Sequence, residues 1–333
     1  MLQERLLAPR VLHFGRKQLF WECNELCASE TFPDGQPPGG TQYDTQKIRA
    51  RIHAIVPESE SITKGHEQEA LEIWRSILSL YTSSNLTFKT DKLPALAGIV
   101  KHIQHLFGNT YHVGIWKDSI ILLLGWYCFS GSEREILPRP VEYRAPTWSW
   151  ASTDKPITFW LPFPRSETVF DLKVLAFETT AIGDDTAIRG ASGYLLVEGP
   201  LNCVTIDGDW MRFTVDGRRI TLRRGDRNAP WLDEYTGLAM DLYCLPLHHT
   251  VVPRNRDAGE YDDLTSCWSS QDENVYLISF LLLKPRTDHL GSYTRCGVWR
   301  SEGTEGLLRV QTGREAPCQE FLGLERGHRI RIY

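Results

Sequence analysis

The hydrophobic periodicity of this chain changes once along its length, near a tryptophan-rich segment at residues 142–160. Before that segment, residues 60–130 repeat apolar side chains every three to four positions, as in "EQEALEIWRSILSLY", which predicts packed amphipathic helices. After about residue 165, short runs rich in β-branched and aromatic residues alternate with Gly, Asp, Asn and Pro, which predicts strands. The sequence therefore predicts an α+β fold, with an N-terminal helical or mixed unit followed by a β-rich, mainly antiparallel C-terminal half.

Composition within these regions suggests four segments. The opening residues, with a short amphipathic helix to Pro9 and an apolar "LFWEC" strand, form a hairpin-like unit. The stretch "ASETFPDGQPPGG" is too dense in Pro, Gly and Asp for a helix or a strand, so we expect a loop there. The predicted segments are the opening unit (1–30), a loop or linker (31–59), a helical region ending in Trp-Ser-Trp (60–160) and a β-rich domain (161–333).

Three local predictions follow from shorter patterns. The apolar run "SIILLLGWYCF" predicts a third, largely buried helix at residues 119–129. Asp216-Gly217, between two alternating runs, is the strongest hairpin signal in the chain. His248-His249 follows "CLPL", and we expect this pair to lie in a loop with no acidic residue nearby in sequence.

Charge and hydropathy exclude several classes of protein. The formal net charge is -5, which gives no electrostatic basis for binding nucleic acid or anionic membranes. The apolar run above is too short to span a bilayer, and the N-terminus lacks the apolar core and cleavage site of a secretory signal. Eight scattered cysteines fit reduced, mostly buried thiols. We therefore expect a cytoplasmic protein without a membrane span.

No set of residues predicts a metal or a cofactor. Cys23 and Cys27 form the closest cysteine pair, and a structural zinc site would need two more ligands. His102 and His105 share a helix face near His112, yet no acidic residue in that helix completes a site, and a basic helix C-terminus explains them better. Motifs of serine hydrolases, zinc proteases and phosphate-binding loops are all missing from the sequence.

The segment "YRAPTWSWAS" has two interpretations. Trp148 and Trp150 stand two apart, so they point to one side of an extended segment that Pro146 favours. They either form an exposed stacking platform for a ligand or partner, or they are buried and clamp the helical unit to the β-rich half. We favour the clamp, with Arg144 donating hydrogen bonds to carbonyl groups there.

Five blocks in this order resemble the fungal heterokaryon-incompatibility (HET) domain family. The blocks are "LQERLLAPRVLHFGRKQLFWEC", an amphipathic helix containing Trp74, "DKLPALAGI", "YHVGIWKDSIILLLGWYC" and "YRAPTWSWAS". They cover roughly residues 2–155 and correspond to the end of the HET domain and the region after it. The family's opening motif, of the Tyr-x-x-Leu-Ser-Tyr-x-Trp-Gly kind, does not occur in this chain.

The resemblance implies a role in fungal non-self recognition and cell death through protein contacts. HET domains have been likened to NAD-cleaving TIR domains, but of the family's motif only Gln3 and Glu4 carry over. The expected protein is thus a truncated relative without catalytic activity or cofactor, and its start is either natural or placed late in the gene. The alternative is an accessory protein or recruited enzyme of fungal secondary metabolism, using a cavity in the β-rich half. The sequence does not identify a ligand.

Overall fold

The structure, a computed structural model, divides into two compact units. The first comprises Met1–Tyr111 and Trp116–Asp118, and the second comprises His112–Ile115 and Ser119–Tyr333. Short strands β4 (Tyr111–His112) and β5 (Ile115–Trp116) lie where the chain passes between them. The residues that the structure describes are 2–35, 37, 41–54, 64–107, 110–128, 138–162, 167–181, 191–207, 210–215, 218–223, 230–233, 240–253, 274–303, 316–323 and 326–333.

The first unit combines a small antiparallel sheet with four helices. The sheet order is β1-β2-β3, which confirms the predicted opening helix and hairpin. Helix α1 packs against α2 and α4, and α3 packs against α2 and α4. The elements are α1 (Leu2–Leu7), β1 (Arg10–Phe14), β2 (Leu19–Cys23), β3 (Cys27–Ser29), α2 (Thr41–Ala54), α3 (Lys64–Thr82) and α4 (Ala97–Phe107), with 3-10 turns at Lys89–Lys92 and Pro94–Leu96.

Aromatic and aliphatic side chains form the core of this unit. Helix α3 buries Trp74 among its periodic apolar residues, and the Trp74 ring lies edge-on to Trp116 with centroids 5.7 Å apart. Phe107, at the end of α4, stacks on the Trp116 ring, with centroids 4.4 Å apart. The helices predicted from the 3.6-residue period are therefore confirmed as α3 and α4.

The predicted loop at residues 31–59 contains a helix, so that part of the prediction is wrong. Helix α2 follows the Pro- and Gly-rich stretch and buries Ile48 and Ile52, which stand four positions apart on one face. The helix-favouring Gln, Lys, Arg and Ala residues of α2 support it locally. The Pro- and Gly-rich composition of residues 33–40 led to a loop prediction that also covered the helix beginning immediately after them.

The second unit consists mainly of strands. Its elements are α5 (Ile120–Leu123), β6 (Trp126–Cys128), β7 (Ile157–Phe159), β8 (Thr168–Phe170), β9 (Lys173–Ala181), β10 (Ala191–Gly199), β11 (Asn202–Asp207), β12 (Trp210–Val215), β13 (Arg218–Arg223), β14 (Trp231–Leu232), β15 (Met240–Pro253), β16 (Asn274–Pro285), β17 (Ser292–Gly303), β18 (Glu320–Phe321) and β19 (His328–Ile332). Strands β6 and β7 form a separate two-stranded sheet.

A single large sheet organises this unit. Its order is β13-β12-β11-β15-β16-β17-β19-β10-β9, with β8, β14 and β18 added at its sides. Among the described pairs only β17 and β19 run parallel, which confirms the mainly antiparallel prediction. One face buries a cluster that includes Cys244, Phe280 and Trp299, the last two stacked with centroids 4.5 Å apart. Strands β12 and β13 pair as predicted, while the turn at Asp216-Gly217 lies outside the described residues.

Three further predictions need correction. The predicted third helix is only the four residues of α5, because the chain turns at Gly125 and continues as β6. By contacts, residues 119–160 also belong to the second unit and not to a helical region ending at 160. His248 and His249 lie inside β15 and not in a loop, since β16 on one side and β8 on the other provide hydrogen-bonding partners for this part of the strand.

Candidate functional site

The tryptophan segment is buried and held by hydrogen bonds within the second unit. Trp148 and Trp150 have no exposed surface. The Trp150 indole N–H donates to the Gly114 carbonyl at 2.7 Å, and the Ser149 hydroxyl donates to the Val113 carbonyl at 2.6 Å. Gly114 has φ +94°, and a Cβ there would lie 2.5 Å from Trp150 Nε1. The indole and the turn at 113–114 therefore fit only because residue 114 has no side chain.

Trp148 and Arg144 complete the fixation of this segment. The Trp148 carbonyl accepts from the Trp126 indole at 2.9 Å, and the Trp148 ring lies 5.2 Å from that of Phe177. The Arg144 guanidinium donates to the Ala151 carbonyl at 2.7 Å and to Asp154 at 2.8 Å. These contacts bind separate pieces of the second unit together. Both indoles are buried, so an exposed platform is not found at this segment. The contacts described join parts of the second unit, and the predicted clamp of the helical unit to the β-rich half stays a prediction.

A buried charged centre lies beside the same segment. The Asp233 carboxylate accepts from Arg139 at 2.8 Å and from Arg295 at 3.3 Å, and Lys155 donates to the Asp233 carbonyl at 2.5 Å. The Arg295 guanidinium stacks 3.3 Å from the centre of the Trp126 ring, and its burial lowers the pKa of Arg295 to about 10. Two guanidinium groups thus share the Asp233 carboxylate, and the Lys155 ammonium group binds the backbone carbonyl of the same residue.

Gln3 and Glu4, the two residues carried over from the HET resemblance, serve different purposes in the first unit. The Gln3 side-chain oxygen accepts from the Gly98 N–H at 3.0 Å and so binds the start of α4. Glu4 is exposed, and its carbonyl accepts from the Ala8 N–H at 3.0 Å. The structure does not bring their side chains into a common site.

A buried polar group near them was not foreseen. Glu22 lies on β2 and forms a two-point ion pair with Arg5, with Nε donating at 2.8 Å. His13 Nε2 lies 3.4 Å and Arg49 Nη1 3.9 Å from the same carboxylate. Arg49 is fully buried, and its guanidinium has no hydrogen-bond partner in the described part of the chain. The sequence signal was an acid at an inward-facing position of the apolar strand "LFWEC".

The opposite face of this three-stranded sheet is apolar and exposed. Leu12, Phe14 and Leu19 project from it, with Phe14 80% and Leu12 48% exposed. Trp21 pairs with Leu12 across the strands and shares the face. We call Leu12, Phe14, Leu19 and Trp21 the apolar sheet face. The sheet thus buries a carboxylate on one face and exposes large hydrophobic residues on the other, whereas a half-solvated antiparallel sheet usually has polar residues on its outer face.

The second unit also contains an oriented histidine. His249 Nδ1 lies 3.0 and 2.9 Å from the two oxygens of Asp171, which follows β8. The Asp171 N–H donates to the Leu247 carbonyl at 3.0 Å, which holds the carboxylate in place. If Nδ1 carries the proton, Nε2 of His249 is left as a proton acceptor. These two residues stand 78 positions apart, so spacing along the sequence could not reveal the pair.

Other candidate groups are not assembled in the described ranges. No cluster of three or more His, Cys, Asp or Glu side chains suited to a metal ion occurs among those residues. Likewise, no helix in the described part of the chain is long and apolar enough to cross a membrane. Comparison with protein-family models, with curated proteins and with solved structures yields no match.

Proposed function

We propose that the chain is a relative of the fungal HET proteins and acts in non-self recognition and cell-death signalling through protein contacts, in the cytoplasm and without catalytic activity of its own. The proposal combines the five sequence blocks with one structural observation, the apolar sheet face. Exposed large apolar residues that lie together mark sites of protein contact more often than isolated ones do. This face belongs to the unit that begins with the first of those blocks.

The surroundings of the face indicate the character of the partner. Arg10, Arg16 and Lys17 are exposed on β1 and in the β1–β2 turn. Together with Glu30, whose carboxylate accepts from the Leu19 N–H, they leave the rim of the face with a net positive charge. Pairing with a second copy through the same face would bring these cations together, which is unfavourable. A partner with an apolar centre and acidic residues around it would complement both parts of the surface. We therefore infer a different protein as partner, such as a full-length HET protein.

The test is expression in a fungal host, alone and together with a full-length HET-domain protein. We expect cell death to depend on the co-expressed protein, and Phe14→Asp to abolish the effect of this chain because it places a charge at the centre of the face. Leu290→Asp, at an exposed apolar position of the second unit, is the matched control and should behave as the unaltered chain does. Equal effects of the two substitutions would contradict the proposal.

One observation favours the alternative function. The His249–Asp171 pair resembles the arrangement in which a carboxylate orients a histidine for proton transfer. A recruited enzyme of fungal secondary metabolism could use this pair as a general base in the β-rich half. In that case His249→Gln would remove a turnover that the unaltered chain shows with pathway intermediates, while Phe14→Asp would leave it unchanged. Neighbouring biosynthetic genes at the encoding locus would favour this alternative.

A further inference from the structure

A second surface, independent of the proposed function, lies on the outer side of strands β6 and β14. Tyr127, Trp160 and Trp231 come together there from three places in the chain. Tyr127 stacks on Trp160 with ring centroids 4.2 Å apart, and Trp231 lies 5.0 Å from Tyr127. Trp231 and Trp160 are nearly perpendicular, at 76° and 6.3 Å. We call these three residues the aromatic corner.

The backbone positions the aromatic corner firmly. On β6, Trp126 and Cys128 point inward to the charged centre, and alternation places Tyr127 on the outer side. Trp231 lies on β14, which pairs with Val298 and Gly297 of β17. A Cβ at residue 297 would lie 2.2 Å from the Trp231 carbonyl, so glycine is required for this close approach. The strands therefore hold the corner in a fixed shape.

The corner remains accessible although its rings are large. Trp231 is 40% exposed, and Tyr127 and Trp160 are half-buried. Neither the Trp160 nor the Trp231 indole N–H has a hydrogen-bond partner within the described residues. An indole normally finds a partner for its N–H when the ring packs against protein. The corner thus offers two free donors beside flat apolar surfaces.

The two free donors decide against one obvious class of ligand. Perpendicular aromatic rings often bind quaternary or methylated ammonium groups through cation–π contacts. A quaternary ammonium group carries no hydrogen-bond acceptor, so it would leave both indole donors of the corner unused. A ligand with hydrogen-bond acceptors is favoured.

We propose that the aromatic corner binds a proline-rich peptide segment in the polyproline II conformation. Such a segment presents backbone carbonyls without matching N–H groups at its prolines, so it needs the donors that the corner provides. Its flat rings pack on Trp and Tyr, and its preformed helix loses little conformational entropy on binding. Two successive residues of that helix advance by about 6 Å, close to the separation of the Trp160 and Trp231 rings. One X-Pro dipeptide therefore fits the corner.

The test uses the full chain and a fluorescein-labelled decaproline peptide, with binding followed by fluorescence anisotropy. A Gly-Ser peptide of equal length is the control ligand. We expect saturable binding of decaproline and none of the Gly-Ser peptide. Trp231→Ala should weaken the affinity for decaproline roughly tenfold or more, as for a central aromatic anchor. Trp231→Phe, which keeps a ring but loses the N–H donor, should weaken binding to an intermediate degree.

Trp210→Ala is the matched control variant, because Trp210 is 42% exposed on β12 of the same unit. It should bind decaproline as the unaltered chain does. Circular dichroism of each variant checks that the fold is retained. Decaproline that binds no better than the Gly-Ser peptide, or equally well to Trp231→Ala, would overturn the proposal. Binding of tetramethylammonium or methyl glucoside, seen as a change in tryptophan fluorescence that Trp231→Ala removes, together with no decaproline binding, would overturn it in favour of a cation or a sugar site.

Discussion

Replacement of Trp150 by alanine tests whether the tryptophan segment holds the second unit together. The indole is fully buried, and its removal eliminates both the packing and the hydrogen bond to Gly114. Truncation of a buried Trp to Ala costs about 3 to 5 kcal/mol. For a unit of roughly 200 residues, each kcal/mol lowers Tm by about 2 to 4 °C. The expected decrease in Tm is therefore roughly 6 to 20 °C.

Two variants separate the contributions to that decrease. Trp150→Phe keeps most of the ring volume but leaves the Gly114 carbonyl without its donor, so we expect a smaller loss, about 1 to 3 kcal/mol. Trp210→Ala, at a tryptophan that is 42% exposed, should cost clearly less than Trp150→Ala does. Thermal unfolding by circular dichroism gives all three values. A Tm unchanged by Trp150→Ala would refute the clamp interpretation, whatever the controls show.

Two more predictions concern the backbone and pH. Gly114→Ala should destabilise the protein by about 3 kcal/mol or more, because alanine is strained at a positive φ and its Cβ would clash with Trp150. Gly323→Ala, with φ +93° and open space around it, should cost only about 1 to 2 kcal/mol. Urea unfolding measures both losses, and equal losses would show that the clash at residue 114 is relieved. Burial, together with the charges of Arg300 and His249, lowers the pKa of His248 from 6.5 to about 4. Because the unfolded chain then binds a proton that the folded chain does not, the free energy of unfolding should fall by roughly 3 kcal/mol as the pH decreases from about 6.5 to about 4. A His248→Asn variant whose free energy of unfolding changes with pH in the same way would disprove the assignment of this effect to His248.

The features that the sequence predicted are local ones. The regular spacing of Leu71, Trp74 and Leu78 predicted α3, and alternation on either side of Asp216-Gly217 predicted the pairing of β12 with β13. Each depends on residues within about one element of each other. Helix α2 was missed because its own apolar residues, Ile48 and Ile52, are few, and the strong turn signals just before it dominated the interpretation.

The polar groups of the candidate sites could not be predicted in the same way. Glu22 meets Arg5 and Arg49 only after α1, β2 and α2 have packed, and Asp171 meets His249 only when β8 joins β15. Strand register decides these encounters, and register is set by long-range pairing and not by spacing in the sequence. The aromatic corner likewise draws on residues more than 70 positions apart. Of these groups, only Glu22, an acid within an apolar strand, carries a sign in the sequence that it is a buried polar group.

Strand β19 has a consequence for how the protein is made. Within the described strands, β19 joins β10 and β9 to the rest of the large sheet, by pairing with β10 on one side and with β17 on the other. Because a ribosome adds about 5 to 20 residues per second, β10 leaves it roughly 6 to 26 s before β19 can pair with it. During that interval the hairpin of β9 and β10 presents an open edge carrying Leu195 and Val197. We expect chaperones to bind nascent chains at this stage, because an unpaired strand edge promotes aggregation.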